Sequence, residues 1–296
     1  MLPIRCFNCK RSLMLLRSQA MWSFLDLAAA KKFDTPEPLF PGWIKGEERV
    51  VVFSPHDDDA LLGAGYLILA ALEQAAKVDL VIFCDGRAGY SRPEDREGIV
   101  GRRKQETLRA YQRLGLEPAA IHRLELPDFS VPLYLGWKLP NGGDGLFARL
   151  IPLLRRLRPT RLLIPNGWRE HLDHTGVHQA GVFFSPQVGD AILADWGQAP
   201  AVRNLLVYSV WGDFPPGQPG AKGLRADRAI LAPARVEERI QEAVAEFASQ
   251  AEVIAGLTQA RAFRIFQGQA LEVYQTLDLR PPLDYRPYWD RVKSLP

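Results

Sequence analysis

Four of the chain's five histidines fall in two short clusters, each laced with aspartate. The first is Ser54-Pro55-His56-Asp57-Asp58-Asp59; the second is His171-Leu172-Asp173-His174, with His178 one helical turn further on. Imidazole nitrogen with carboxylate oxygen is the donor set that a divalent metal, most often zinc, takes in a hydrolytic site, with coordination positions left open for water. His56 and Asp59 stand three residues apart at the expected start of a helix, so both can converge on one ion. Asp58, between them, points elsewhere and can take a proton from a water whose pKa the ion lowers. One imidazole of the second cluster would complete a His-Asp-His set. The other would face a substrate carbonyl and, as imidazolium, stabilise an oxyanion. Asp173 between them can fix that imidazole's tautomer, and by favouring its charged form would hold its pKa above the ordinary value of about 6.5.

The elements that must position these groups are readable from Arg49 onward. Val50-Val51-Val52-Phe53 is a continuous β-branched and aromatic run, the mark of a strand buried on both faces. The pattern predicts further strands over 78–84, 121–126, 161–164 and 205–210, and helices over 59–77, 94–115, 145–157 and from about 173. Strands alternating with such helices argue βαβ units, hence a Rossmann-like three-layer α/β fold with a mostly parallel sheet. Right-handed crossovers then bring the strand C-termini to one edge. Both His/Asp clusters, Asp85, Asp128 and Trp211 fall there, where open α/β sheets bind ligands. Helices are expected over 234–255 and 263–277, and an irregular tail from Pro281. Gly212 to Gly220 reads as a long surface loop or lid.

Composition excludes other classes. In 296 residues with 47% hydrophobic and 24% charged content, a net charge of +3 gives no case for nucleic acid. The longest apolar run, Ala60 to Leu72, is too short to span a bilayer. Cys6, Cys9 and Cys84 give no disulfide framework, which fits a reducing, cytoplasmic setting; Cys6 and Cys9 form a lone CxxC. Residues 1–47 read as an N-terminal arm with one helix near 11–32, and Met14 and Met21 are alternative starts. Residues 48–296 read as the catalytic domain.

These motifs resemble the PIG-L/LmbE family of zinc-dependent N-deacetylases. Ser-Pro-His-Asp-Asp-Asp-Ala-Leu-Leu-Gly-Ala-Gly from Ser54 is similar to the family's H-P-D-D signature, and His171-Leu172-Asp173-His174 to its H-P-D-H. Asp85-Gly86, Arg103 to Glu106, Leu114-Gly115, and Arg239 to Ala243 with Ser249-Gln250 resemble the motifs between and beyond them. The resemblance covers about residues 49–250. It implies one zinc per chain held by His56, Asp59 and His174, with Asp58 as general base. It implies His171 as electrostatic catalyst and general acid, Asp173 as its orienter, and Arg103 and Asp128 as substrate contacts. The implied substrate is a small N-acetylated amino sugar or its conjugate. Three positions depart: Asp57 and Leu172 stand where the family has proline, and Ala60 where glutamate is commoner. Asp57 makes three consecutive carboxylates and leaves open which is base and which is ligand.

Other readings are weighed on the same residues. A phosphoesterase would want a second metal set, and a non-catalytic sugar-binding relative would be expected to have lost a ligand or the base. Gly63 and Gly65 lack the third glycine and acidic partner of a dinucleotide fingerprint. With three ligands already assigned, His178 reads as a supporting or packing residue, and His122 as structural. Trp168, Trp211, Tyr90 and Phe214 are candidates to stack on a sugar.

Overall fold

A computed structural model describes residues 22–216 and 223–295. A single mixed sheet runs through them in the order β2-β1-β8-β10-β7-β6-β3-β4-β5. Its parallel half is the expected one: β3 (Arg49–Ser54), β4 (Lys77–Cys84), β5 (Ile121–Leu126), β6 (Arg161–Pro165) and β7 (Asn204–Tyr208). Alternate residues of β3 serve opposite faces. Val50 and Val52 pack under α1 (Asp59–Glu73), α2 (Ile99–Leu114) and α6 (Ala234–Val244). Val51 and Phe53 pack under α4 (Leu146–Leu157) and α5 (Leu172–Phe184). Both faces are covered, which explains the unbroken apolar run. Strand order reverses between β3 and β6, and the two His/Asp clusters leave the sheet at the C-termini of those strands.

The antiparallel half departs from the sequence reading. Residues 23–33 form strands β1 (Ser23–Asp26) and β2 (Lys31–Phe33), not part of a helix, because β1 pairs with β8 (Arg228–Pro233), some 200 residues away. Trp22, Phe24, Leu39 and Phe40 from the same N-terminal stretch join the core. The expected helix over 263–277 is in fact β9 (Ile265–Phe266) and β10 (Gln269–Leu277). The inward residues of β10 are Ala270, Glu272 and Tyr274, so it lacks the apolar alternation that announces a strand. Helix α6 stops at Val244, followed by the short α7 (Ala255–Ala260), and the tail carries α8 (Arg286–Lys293). A one-turn α3 (Val131–Tyr134) packs against α5. The Cys6/Cys9 pair, Met14, Met21 and the glycines at 217 and 220 lie outside the described residues. Among those described, no helix is long and apolar enough to cross a membrane.

Two buried polar clusters fix the frame. At the N-terminal edge of the strands, away from the His/Asp clusters, the Glu48 carboxylate accepts from Arg161 Nε and Nη2 (both 2.9 Å), Thr160 Oγ1 (2.5 Å), Ile44 N (2.9 Å) and Arg203 Nη2 (2.8 Å). The second cluster repairs a break in α1, where Ala64 leaves helical geometry (φ −134°, ψ 17°). Glu272 Oε1 accepts from Tyr66 N (2.9 Å) and Leu67 N (3.3 Å), while Arg261 and Arg264 donate to Leu62 O (2.7 and 3.0 Å). Those are the backbone groups an interrupted helix would leave unpaired. Beside the break, a Cβ on Gly63 would collide with the Tyr208 ring and lie 2.8 Å from Ser209 O, so only glycine lets α1 meet β7 this closely.

Candidate metal centre and its cavity

The turn after β3 is held by Ser54, whose Oγ donates to His56 O (2.5 Å) and accepts from Ala60 N (3.0 Å). This presents His56 and Asp59 inward together. Asp59 Oδ2 lies 2.8 Å from His56 N, 3.1 Å from His56 Nδ1 and 3.1 Å from His174 Nε2. One ligand atom each from His56, Asp59 and His174 falls within 4.8 Å of the others; His56/His171/Asp173 and His56/Cys84/Asp128 also satisfy that span.

His174 decides among these sets. Its Nδ1 is 2.7 Å from Glu170 Oε2, and a carboxylate only accepts, so Nδ1 carries the hydrogen. The buried Nε2 then points a lone pair at Asp59 Oδ2 with no hydrogen-bond partner among the described residues. Two acceptors 3.1 Å apart in a buried site call for a cation between them. A proton can fill that role too: burial opposes charging His174, but Asp59 outweighs it and lifts the imidazole to about 9. Burial likewise works against the charged forms of His56 and Asp59, yet hydrogen bonds to Asp173 and then Asp59 raise His56 well above 6.5, and His174 followed by His56 holds Asp59 well below 3.8. A pocket that attracts a proton this strongly fits a divalent metal, with His56, Asp59 and His174 as its donors.

The three consecutive aspartates part company. Asp57 is wholly buried and turned away, accepting from Arg103 Nε (2.9 Å), Thr107 Oγ1 (2.7 Å) and Arg123. Burial pushes its carboxyl up, but the two guanidinium groups bring it below the usual range. Asp58 instead lines a cavity of about 440 Å³, and among the described residues its carboxylate meets only Arg103 Nη2, at 3.5 Å. Its burial, opposed by Arg103 and reinforced by Asp59 and Asp57, raises its carboxyl to about 6.

His171 lines the same cavity as the N-cap of α5. Its orienting contact comes from Asp173, but through the backbone: Asp173 N donates to His171 Nδ1 (3.1 Å), while the carboxylate stands 3.5 Å off. That carboxylate is engaged by Phe129 N (2.6 Å), Val131 N (3.0 Å) and His56 Nε2 (3.3 Å). The expected upward shift of His171 is therefore reversed. Burial first and His56 next outweigh Asp173, and its pKa falls below 6.5.

Arg103 and Asp128 also reach the cavity, with most of their bonding turned toward the protein. Arg103 Nη1 donates to Gln250 Oε1 (2.6 Å), and Asp128 accepts from Gly86 N (2.9 Å) and Ala88 N (2.8 Å). Of the four aromatic candidates, Trp211 lines the cavity, Phe214 is core, and Trp168 and Tyr90 are not on the wall. His178 Nδ1 bonds Pro165 O (2.9 Å), and His122 Nε2 meets Asp79 Oδ1 (3.0 Å), so neither joins the site.

Sequence reasoning passed over three residues here. Phe129 packs against His171 with ring centroids 4.5 Å apart and planes tilted by 53°, and shares the wall with Trp211. Arg169 lines the cavity from a left-handed backbone (φ 53°). Glu170, four residues before His174, was signalled only by that spacing. Its buried Oε1 accepts from Ser209 Oγ and Val210 N (both 2.9 Å), Trp211 N (3.1 Å) and Gly212 N (3.2 Å).

Comparison with known proteins bears on this geometry. The family model "PIG-L: GlcNAc-PI de-N-acetylase" matches residues 51–184, taking in both His/Asp clusters. A diacetylchitobiose deacetylase of Thermococcus kodakarensis is 23% identical over 164 residues, 55% of this chain and 57% of that protein. This chain thus spans little more than half the length of that relative. The N,N'-diacetylchitobiose deacetylase of Pyrococcus horikoshii, solved with its inhibitor, superposes with a TM-score of 0.57 at 18% identity, over 78% of this chain and 84% of that one. The 4-carboxy-2-hydroxymuconate hydratase GalB of Pseudomonas putida superposes with 0.58 at 18% identity, over 80% and 99%. At such identities the superpositions establish the fold alone, and it is a fold that carries more than one chemistry. It is over residues 51–184, a little under half of the chain, that this sequence is similar to the PIG-L family.

Proposed function

We propose that the protein is a zinc-dependent N-deacetylase that hydrolyses the acetamide of an N-acetylated amino sugar or its conjugate, one zinc per chain, in the cytoplasm. The single observation carrying this is His174 Nε2, buried, unpartnered among the described residues and aimed at Asp59, beside a cavity lined by Asp58. His56, Asp59 and His174 would hold the ion. Bound there, zinc supplies Lewis-acid polarisation of the acetamide carbonyl and lowers the pKa of a water toward neutrality.

The chain's own groups do the rest. Asp58, with its carboxyl raised to about 6, takes a proton from the attacking water and remains basic enough to hold it. Arg103, anchored by Asp57 and Gln250, keeps Asp58 in place from 3.5 Å. His171, its Nδ1 accepting from the Asp173 N–H, presents its Nε2–H to the developing oxyanion, and the proton that Asp58 takes from the water passes on to the departing amine. Phe129 and Trp211 offer ring faces to the sugar. Each Asp128 oxygen retains a lone pair for a hydroxyl beyond its backbone contact.

A hydratase shares the fold, and hydrolysis is favoured here by a base and an imidazole on one cavity beside the donor triad. The test is amine release from a panel of N-acetylglucosamine conjugates, with zinc and with chelator, alongside metal analysis. About one zinc per chain and zinc-dependent release are expected. A fully loaded protein that released amine from no member of the panel would sink the reading.

A further inference from the structure

We propose that Glu170 is the positioning residue that sets the tautomer of His174, and that three consecutive peptide N–H groups at Val210, Trp211 and Gly212 compel it to do so. This rests on the metal reading above. The two carboxylate oxygens do different jobs. Oε2 accepts from His174 Nδ1 at 2.7 Å, which leaves Nε2 bearing the lone pair that faces Asp59. Oε1 is the focus of five donors, the N–H groups of residues 210, 211 and 212 (2.9, 3.1 and 3.2 Å), Ser209 Oγ (2.9 Å) and Asn166 Nδ2 (3.4 Å). Successive backbone N–H groups turned to one point form a concavity that accepts only an electron-rich atom. Side-chain exposure at both Glu170 and His174 is nil, so water cannot stand in for either partner.

The consequence is an asymmetry that glutamine would expose. In Glu170→Gln the amide oxygen must sit in the concavity, because an NH2 there would face three backbone N–H groups. The NH2 is then forced onto His174 Nδ1, which must become the acceptor. The imidazole hydrogen moves to Nε2, the atom needed for ligation, with side-chain volume and loop anchoring retained. The carboxylate that arms His174 through Oε2 pins the backbone of Trp211 on the cavity wall through Oε1, so Glu170→Ala removes both functions.

The experiment measures zinc affinity of metal-stripped full-length protein by chelator competition, together with hydrogen exchange of the 209–213 amides. Glu170→Gln is expected to bind zinc about 10- to 100-fold more weakly, as for loss of an outer-shell ligand partner, with 210–212 still protected. Glu170→Ala is expected to lose both. Wild-type-like zinc affinity in Glu170→Gln overturns the proposal, as does loss of loop protection in that variant, which would mark a merely structural role. Should the variants not fold, nitrogen shifts of His174 in zinc-loaded wild-type protein decide: Nδ1–H with Nε2 ligated is expected, and ligation through Nδ1 overturns the proposal. His174→Ala is the separate control. If it binds zinc as wild type does, the metal reading fails, whatever Glu170 does.

Discussion

Glu48→Gln probes the buried ion cluster at the end of the sheet opposite the metal centre, where charge can be read without interference from catalysis. Burial by itself would raise the Glu48 carboxyl, but hydrogen bonds from Arg161, Thr160 and Ile44 N outweigh it and bring it from 4.5 to about 2. A carboxyl depressed in the folded state adds stability that is present above its unfolded pKa and lost as pH falls through the folded one. A displacement of about 2.5 pH units corresponds to about 3.4 kcal/mol when the group is ionised in both states. At pH 3 about 1.4 kcal/mol of that remains, so about 2 kcal/mol disappears between pH 7 and pH 3. Glutamine cannot titrate and leaves the buried Arg161 without its counter-charge, so the variant starts less stable at pH 7 and lacks this component of the acid response. Urea titrations of both proteins at each pH should show the stability gap narrowing by about 2 kcal/mol on going to pH 3. A gap that stayed constant across that range would refute the assignment of the pH dependence to Glu48.

Neighbouring aspartates should fail in different ways. Asp58→Asn should keep its metal and slow turnover on the order of 100-fold, whereas Asp57→Asn should cost about 3–5 kcal/mol of stability by leaving Arg103 and Arg123 underpaired; turnover assays on metal-quantified protein and urea melts separate the two. His56→Ala and His174→Ala should abolish metal binding and activity together, as read by metal analysis. In wild type, affinity should fall as pH drops below about 9, because His174 must release its proton to bind, and a pH-independent affinity between 6 and 8 would contradict this. His171→Ala should retain zinc and lose a few kcal/mol of transition-state stabilisation. With its pKa below 6.5, the limb of the kcat/KM profile that disappears in this variant should lie under that value, and a limb surviving the substitution would assign it elsewhere.

The parallel half of the sheet was legible because βαβ units are local: each strand, helix and turn signal lies within a few tens of residues. So was the meeting of the two His/Asp clusters, since strand C-termini must share an edge, while the choice of His174 over His171 came from the family resemblance. The antiparallel half was not, because β1 takes its partner from across the chain and β10 turns a glutamate inward. Neither fact leaves a local period. At the site, residue types announced the donors but not their surroundings. The three consecutive aspartates could not be told apart until Arg103 and Arg123 were seen to claim Asp57. The direction of the His171 shift depended on where Asp173 spends its carboxylate, which two backbone N–H groups 42 to 44 residues away decide.

The interruption of α1 at Ala64 also sets a limit on how this protein can be divided. The family-matched stretch, 51–184, contains every proposed ligand and the base, and would be the natural piece to excise for study or to graft elsewhere. Yet the helix that starts at Asp59 leans on Glu272, Arg261, Arg264 and Tyr208, all outside that stretch. Cut free, it would expose the Leu62 carbonyl and the Tyr66 and Leu67 amides together with an empty furrow at Gly63. Its first turn would then have no fixed bearing. The later strands are in that sense the mounting of the metal site, so a minimal catalytic unit has to run past Glu272 in sequence even though Glu272 itself does not line the cavity.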